Sequence, residues 1–146
     1  DQGAVKRVPR GLAPEKDLDN YFTVVMITYR RMDLYKIALE HYCNIPEVDQ
    51  VLLLWNNLNH TEFPLPDPSS FNCAAPVRVL PQTENQVSNR MYQAPNVRTK
   101  AVFQVDDDFI VKRDSVRLGF RIWKGDPDRI VGYVVRNHLE RDGKWT

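Results

Sequence analysis

Three adjacent carboxylates, Asp106-Asp107-Asp108, are the residues of this chain whose type and spacing most clearly suggest chemistry. Crowded carboxylates repel one another, and delivering them to the end of a strand is costly without a cation. A divalent ion that prefers oxygen relieves that cost. Mg2+ or Mn2+ commonly takes one or two protein carboxylates and completes its shell with phosphate oxygens and water. Such an ion can neutralise a departing diphosphate as a Lewis acid. The plain alternative is a solvated acidic turn, because exposed charge runs are common. The apolar approach Ala101-Val102-Phe103-Gln104-Val105 weighs against that alternative, since a buried strand would bring the acids to a fixed place.

A second group precedes the triplet: Asn85, then Asn89-Arg90. An asparagine amide offers a donor and an acceptor together, which suits the edge of a nucleobase. An arginine offers a planar fork suited to a diphosphate. Each is equally at home in an ordinary polar turn. The same holds for Arg31 and Asn56, which also read as a helix-entry residue and a strand-end turn. The three histidines, His41, His60 and His138, lack metal-ligand spacing, and His41 reads as a solvated helix residue. There is no Gly-rich phosphate loop, so the P-loop and dinucleotide fingerprints are absent. Ser88 and Ser115 have no evident base partner.

The elements that must position these residues follow from periodicity. Phe22–Ile27 and Val51–Trp55 are nearly continuous apolar runs, as expected for strands covered on both faces. Val77–Leu80 and Ala101–Val105 predict a third and a fourth strand, and Arg129–Val135 a fifth. Between the first two strands, Met32–Cys43 changes to a helical period. Leu34, Ile37, Ala38 and Tyr42 are expected inward, with Lys36, Glu40 and His41 outward, Asp33 in the first turn and Pro46 closing the region. Asp114 is expected to cap a second helix through Val116, Phe120, Ile122 and Trp123, stopped by Gly125 and Pro127. Residues 1–20 read as an extended lead or linker, and residues 82–100 as polar and irregular.

Alternating strands and helices predict an α/β class with a mainly parallel sheet. Ligands in such sheets bind beyond the carboxyl ends of the strands. Arg31, Asn56, Asn57, Asp106–Asp108 and Arg136 all fall just past predicted strand ends.

Bulk properties bound the reading. The 146 residues suit one domain, or one lobe of a larger one, and 42% hydrophobic content is enough for a packed core. A formal net charge of +1 argues against a dedicated nucleic-acid binder, and so no nucleic-acid partner is expected. No apolar run approaches the roughly 20 residues of a membrane span, and no signal peptide is visible. The chain does not begin with Met, which suggests a piece excised from a longer protein. Cys43 and Cys73 form no CxxC pair and read first as ordinary thiols, with a disulfide left open in an oxidising lumen. Asn59-His60-Thr61 is a glycosylation sequon in a Pro-rich loop.

Taken in order, Thr28-Tyr29-Arg30-Arg31, Val51–Asn57, Asn85 with Asn89-Arg90, Ala101–Asp108, Gly119-Phe120-Arg121-Ile122-Trp123 and Pro127–Gly132 resemble the exostosin-type glycosyltransferases. The likeness is to the C-terminal transferase domain of the exostosin-like proteins and their plant relatives, and it runs from about residue 21 to the end. It implies a GT-A fold, Rossmann-like, with residues 21–146 forming the nucleotide-sugar-binding half. It implies a UDP-sugar donor, usually an N-acetylhexosamine, a glycan or glycolipid acceptor, dependence on Mn2+ (or Mg2+) and retention of configuration. By motif position, Arg31, Asn56, Asn85 and Arg90 would hold uridine and diphosphate. Asp106 would meet the nucleotide, Asp107 the donor sugar and Asp108 the metal, and Arg136 matches an arginine near the sugar. Ile27 departs from the pattern, standing where animal members often have Gln. The family's domain continues with an acceptor-binding half beyond the matching stretch, and no catalytic residue is assigned. The resemblance further implies a place in the Golgi or endoplasmic reticulum lumen, within a type II membrane protein, and leaves homo-oligomer formation open. Two rival readings are a non-catalytic module that binds nucleotide sugars or glycans, and a metal-dependent phosphotransferase. The latter ranks last for want of a phosphate cradle.

Overall fold

The computed structural model describes residues 5–135 and 140–145. Four strands, β1 (Phe22–Thr28), β2 (Val48–Trp55), β3 (Val77–Pro81) and β4 (Ala101–Asp106), form one sheet in the order β3-β2-β1-β4. All three pairings are parallel, as the alternation of elements predicts. Each observed strand contains its predicted run.

Strand alternation divides the apolar residues between two faces. Phe22, Val24 and Met26 of β1 join Val51, Leu53 and Trp55 of β2 in the main core. Val25, Leu52 and Leu54 point the other way, packed with Ile27, Leu80 and Val97. Segment 82–100, expected to be irregular, contributes Val97 to this second face and carries two short 3-10 helices, Val87–Tyr92 and Ala94–Asn96.

The main face is covered by α1 (Tyr35–Tyr42) and α2 (Arg113–Gly125). Helix α1 keeps the expected period and buries Ala38 and Tyr42 as expected, but its inward stripe is shifted at the other two positions. Its buried residues are Tyr35, Ala38, Leu39 and Tyr42, while Leu34 and Ile37 are exposed. The physical cause is a late start. A turn over Arg31–Leu34 precedes the helix, which leaves Asp33 outside it, and Tyr35 packs edge-on against Trp55 and Phe71. Helix α2 starts earlier than predicted, because Lys112 is the last residue with extended backbone. Asp114 is therefore a first-turn residue rather than the cap. Val116 and Phe120 are buried as expected, whereas Ile122 is exposed. Phe120 meets Phe22 at 5.0 Å between ring centroids, and burying each such ring contributes roughly 1.5–3 kcal/mol.

The expected strand over 129–135 does not form. Ile130, Val131, Tyr133, Val134 and Val135 have strand-like composition, but the segment pairs with no neighbour among the described residues. It runs instead as an irregular strap, anchored where the Tyr133 hydroxyl donates to the Val116 carbonyl of α2 at 3.1 Å. Beyond it, β5 (Glu140–Arg141) and β6 (Lys144–Trp145) make a small hairpin. Its turn is Asp142-Gly143, both with positive φ, as two-residue hairpin turns require.

The lead also differs from a simple linker. Residues 15–20 form a 3-10 helix, and residues 5–14 are tied down. Arg10 donates from its backbone to Ala74 and from its side chain to Ile45 and Val48, and the Ala13 N–H donates to buried Asp49 at 2.8 Å. Cys43 and Cys73 are joined as a disulfide, so the first reading of two ordinary thiols is corrected. The fold brings α1 and the 71–75 segment together on one core, a proximity invisible in a spacing of 30 residues.

Candidate donor-binding site

Parallel register aligns the strand ends that matter. Ile27 of β1 lies opposite Asp106 of β4. The next residues are therefore neighbours, and the Thr28 hydroxyl donates to Asp107 Oδ2 at 2.9 Å. Asp107 is 5% exposed, so this bond and a second from Arg31 satisfy a buried carboxylate. Asp106 and Asp108 lie open to solvent on either side of it. The triplet is one anchored acid between two accessible ones.

Arg31 reaches this group from the turn after β1. Its Nη1 lies 2.8 Å from Asp107 Oδ1 and 2.6 Å from Asp108 Oδ2. The guanidinium is held above its ordinary pKa, first by the hydrogen bond and charge of Asp107, then by the charge of Asp108. The turn is set by Asn57 at the end of β2. Asn57 Oδ1 accepts from the Arg30 backbone N–H at 2.7 Å, and Arg30 has φ of 57°, which is left-handed. Asn57 is 1% exposed, and its Nδ2 has no partner among the described residues.

Asn56, also buried, is fully engaged. Its Nδ2 donates to Asn85 Oδ1 and the Gln86 carbonyl, and its Oδ1 accepts from Asn89 Nδ2. It thus organises the turn that presents Asn85 and Arg90. Asn85 is exposed. Arg90 Nη2 bonds Asp106 Oδ1 at 2.9 Å, and its buried Nε has no partner among the described residues. Among the predicted residues, Arg31, Asp106, Asp107, Asp108 and Arg90 are brought together, with Asn56 and Asn85 behind Arg90. Arg136 lies outside the described residues.

The loop leaving the triplet is pinned by α1. Tyr42 Oη donates to the Phe109 carbonyl at 3.0 Å and accepts from the Val111 N–H at 2.9 Å. Burial pushes the Tyr42 phenol up, partly offset by the Val111 bond. His41 is not the solvated residue expected; its Nε2 donates to the Val111 carbonyl at 2.7 Å. Thr28, Tyr42 and the clamp role of Asn57 escape a linear reading. A polar residue ending an apolar run was the available signal, but its partner depends on sheet order.

Among the described residues, no group of three or more His, Cys, Asp or Glu side chains could hold a metal ion by itself. An ion completed by ligand phosphates needs only one or two protein carboxylates. Asp108, with its side chain 44% exposed, offers such a carboxylate. Mn2+ or Mg2+ therefore fits the residues present.

Residues 22–146 match the model of the glycosyl transferase family 64 domain. The chain is 36% identical to Exostosin-like 2 from Mus musculus over 127 residues, covering 87% of this chain and 38% of that protein. It is 34% identical over 124 residues to glucosamine inositolphosphorylceramide transferase 1 from Arabidopsis thaliana, covering 84% of this chain and 16% of the relative. Against Exostosin-2 from Homo sapiens it is 33% identical over 119 residues, 81% of this chain and 16% of that one. It therefore spans well under half the length of these relatives. With its four-stranded parallel sheet and the acids at its carboxyl end, the chain belongs to glycosyl transferase family 64, the exostosin-like glycosyltransferases.

Proposed function

We propose that this chain forms the nucleotide-binding half of a retaining, Mn2+-dependent glycosyltransferase domain (Mg2+ being the substitute ion). The donor is a UDP-sugar, with N-acetylhexosamine the favoured sugar, and the acceptor is a glycan or glycolipid. The carrying observation is the convergence of Arg31, Arg90 and the Asp106–Asp108 triplet at adjacent strand ends in a family 64 chain.

Arg31, held through Asp107, and Arg90, held through Asp106, present positive charge where a diphosphate would sit. Preorganised charge of this kind stabilises a leaving group as its charge develops. Asn85 offers its amide to the base edge, and Asn56 acts through the turn that carries it. Asp107, anchored by Thr28, aligns Arg31 and faces the donor sugar; Asp106 meets the nucleotide. Asp108 holds the ion, which when bound would offset charge on the leaving diphosphate. Arg136 is assigned to the sugar by the family likeness alone. No residue of the chain is assigned as nucleophile or as general acid or base.

The plant relative's name pairs glucosamine with inositolphosphorylceramide, which supports a glycolipid among the acceptor classes. The proposed address is the Golgi or endoplasmic reticulum lumen, within a type II membrane protein. The Cys43–Cys73 disulfide favours an oxidising compartment, and Asn59 of the sequon is exposed. No helix among the described residues is long and apolar enough to cross a membrane.

Titrating UDP with and without Mn2+, on wild type and Asp108→Ala, tests the site. Tight binding should require the ion, and Asp108→Ala should weaken it at least about tenfold, as loss of a metal contact does. Binding indifferent to both sinks the reading. A second reading is a non-catalytic sugar-nucleotide or glycan-binding module. Donor hydrolysis by a chain extended past Thr146 would decide for the enzyme.

A further inference from the structure

We propose that Arg31 is the resident counter-cation of Asp108, so that a divalent ion and a nucleoside diphosphate enter this site together and neither enters well alone. The proposal rests on the donor-site reading above and concerns how that site loads.

The charges around the triplet nearly balance without any ligand. Three carboxylates face two guanidiniums, Arg31 on Asp107 and Asp108, and Arg90 on Asp106. One net negative charge remains. A diphosphate arriving alone would bring more negative charge to a site already negative. An ion arriving alone would find Asp108 already paired to Arg31 Nη1 at 2.6 Å and Asp106 to Arg90 Nη2 at 2.9 Å. Arriving together, the two ligands exchange partners. The guanidinium turns to the diphosphate, and Asp108 is released to the ion.

The two contacts of Arg31 differ in a way that permits this exchange. Its bond to Asp107 ends on a side chain 6% exposed, which Thr28 also holds. Its bond to Asp108 joins side chains 48% and 44% exposed, where water screens the pair and the barrier to exchange is low. Nη1 makes both contacts. Among the described residues, Nε and Nη2 of Arg31 have no partner and are available to phosphate oxygens. The clamp of Asn57 on Arg30 fixes where the Arg31 side chain starts, so the exchange needs rotation of one side chain rather than of the backbone.

The experiment measures Mn2+ binding to the 146-residue chain without nucleotide, by water-proton relaxation, and UDP binding in saturating Mn2+, by calorimetry. Wild type is compared with Arg31→Gln and Arg31→Lys, with near-ultraviolet dichroism confirming the fold. Removing the counter-cation should move the two affinities in opposite directions. Arg31→Gln should bind Mn2+ alone about three- to tenfold more tightly than wild type and bind UDP with Mn2+ more weakly by a similar factor. Arg31→Lys, which keeps the charge, should stay close to wild type for Mn2+ alone. Unchanged or weaker Mn2+ binding by Arg31→Gln overturns the proposal, as does an equal gain in Arg31→Lys. If wild-type UDP binding ignores Mn2+, the donor-site reading itself fails. If that dependence holds but the opposite shifts do not, only the counter-cation role of Arg31 falls.

Discussion

Arg30 carries a backbone φ of 57°, a conformation that costs a non-glycine residue roughly 1–2 kcal/mol. Only Asn57 Oδ1, at 2.7 Å from the Arg30 N–H, holds it from across the sheet end among the described residues. The strained turn is what swings Arg31 toward Asp107 and Asp108, so local cost and site geometry are linked. Asn57→Ala should lower stability by about 0.5–1.5 kcal/mol, the net contribution of one part-buried hydrogen bond. Adding Arg30→Gly should recover part of that loss, since glycine adopts positive φ freely. Urea denaturation of the single and double variants checks this. Purely additive losses would show that the clamp and the turn are independent.

Among the elements, the strap after α2 shows composition and pairing disagreeing. Residues 129–135 have the β-branched and aromatic makeup of a strand, yet lie beside α2 through Tyr133. The approach is so close that a Cβ on Gly119 would fall 2.0 Å from the Tyr133 hydroxyl oxygen. Any side chain here would have to displace the Tyr133 hydroxyl, which gives the glycine of the Gly119-Phe120 pair a structural reason. Gly119→Ala should destabilise by about 1–3 kcal/mol through overpacking. Tyr133→Ala made in the same chain should relieve the clash, leaving the double variant more stable than the sum of single losses predicts. Thermal unfolding of all four chains tests the coupling. Equal and additive shifts would place the strap elsewhere.

For the molecule as a whole, the Cys43–Cys73 disulfide closes a loop spanning β2, the Pro-rich segment and the approach to β3. A loop with a sequence separation of 30 gains about 3–4 kcal/mol in the chain-entropy account. Replacing both cysteines with alanine should lower unfolding stability by that order, read from urea midpoints under non-reducing conditions. A change below about 1 kcal/mol would show that the reduced chain is already constrained, a known route by which disulfides deliver less. The proposed lumenal address has its own check. When the chain is expressed through a secretory pathway, Asn59 should carry a glycan, seen as a mobility shift on enzymatic deglycosylation that Asn59→Gln abolishes. An unshifted band for secreted wild type would remove the sequon from the argument.

Periodicity and residue type by themselves determined the four parallel strands, the presence of two helices, the α/β class and the placement of Arg31 and Asn56 past strand ends and of the acidic triplet at the end of β4, with Asp106 its last residue. The ordered motifs together also determined the family, because many weak signals in one order are specific where each alone is not. Those features are local: apolar alternation and strand termini are written in consecutive residues. What only the tertiary structure decided is every relation between distant segments. The phase of α1 depended on where Trp55 and Phe71 stood. The missing fifth strand depended on the absence of a pairing neighbour among the described residues. The disulfide, the Asn57 clamp, the Tyr42 bridge and the contacts of Thr28 and Arg31 with Asp107 join residues 27 to 79 positions apart. Hydrogen bonds and ion pairs act over about 3 Å, and sheet order rather than chain order sets which groups come within that range.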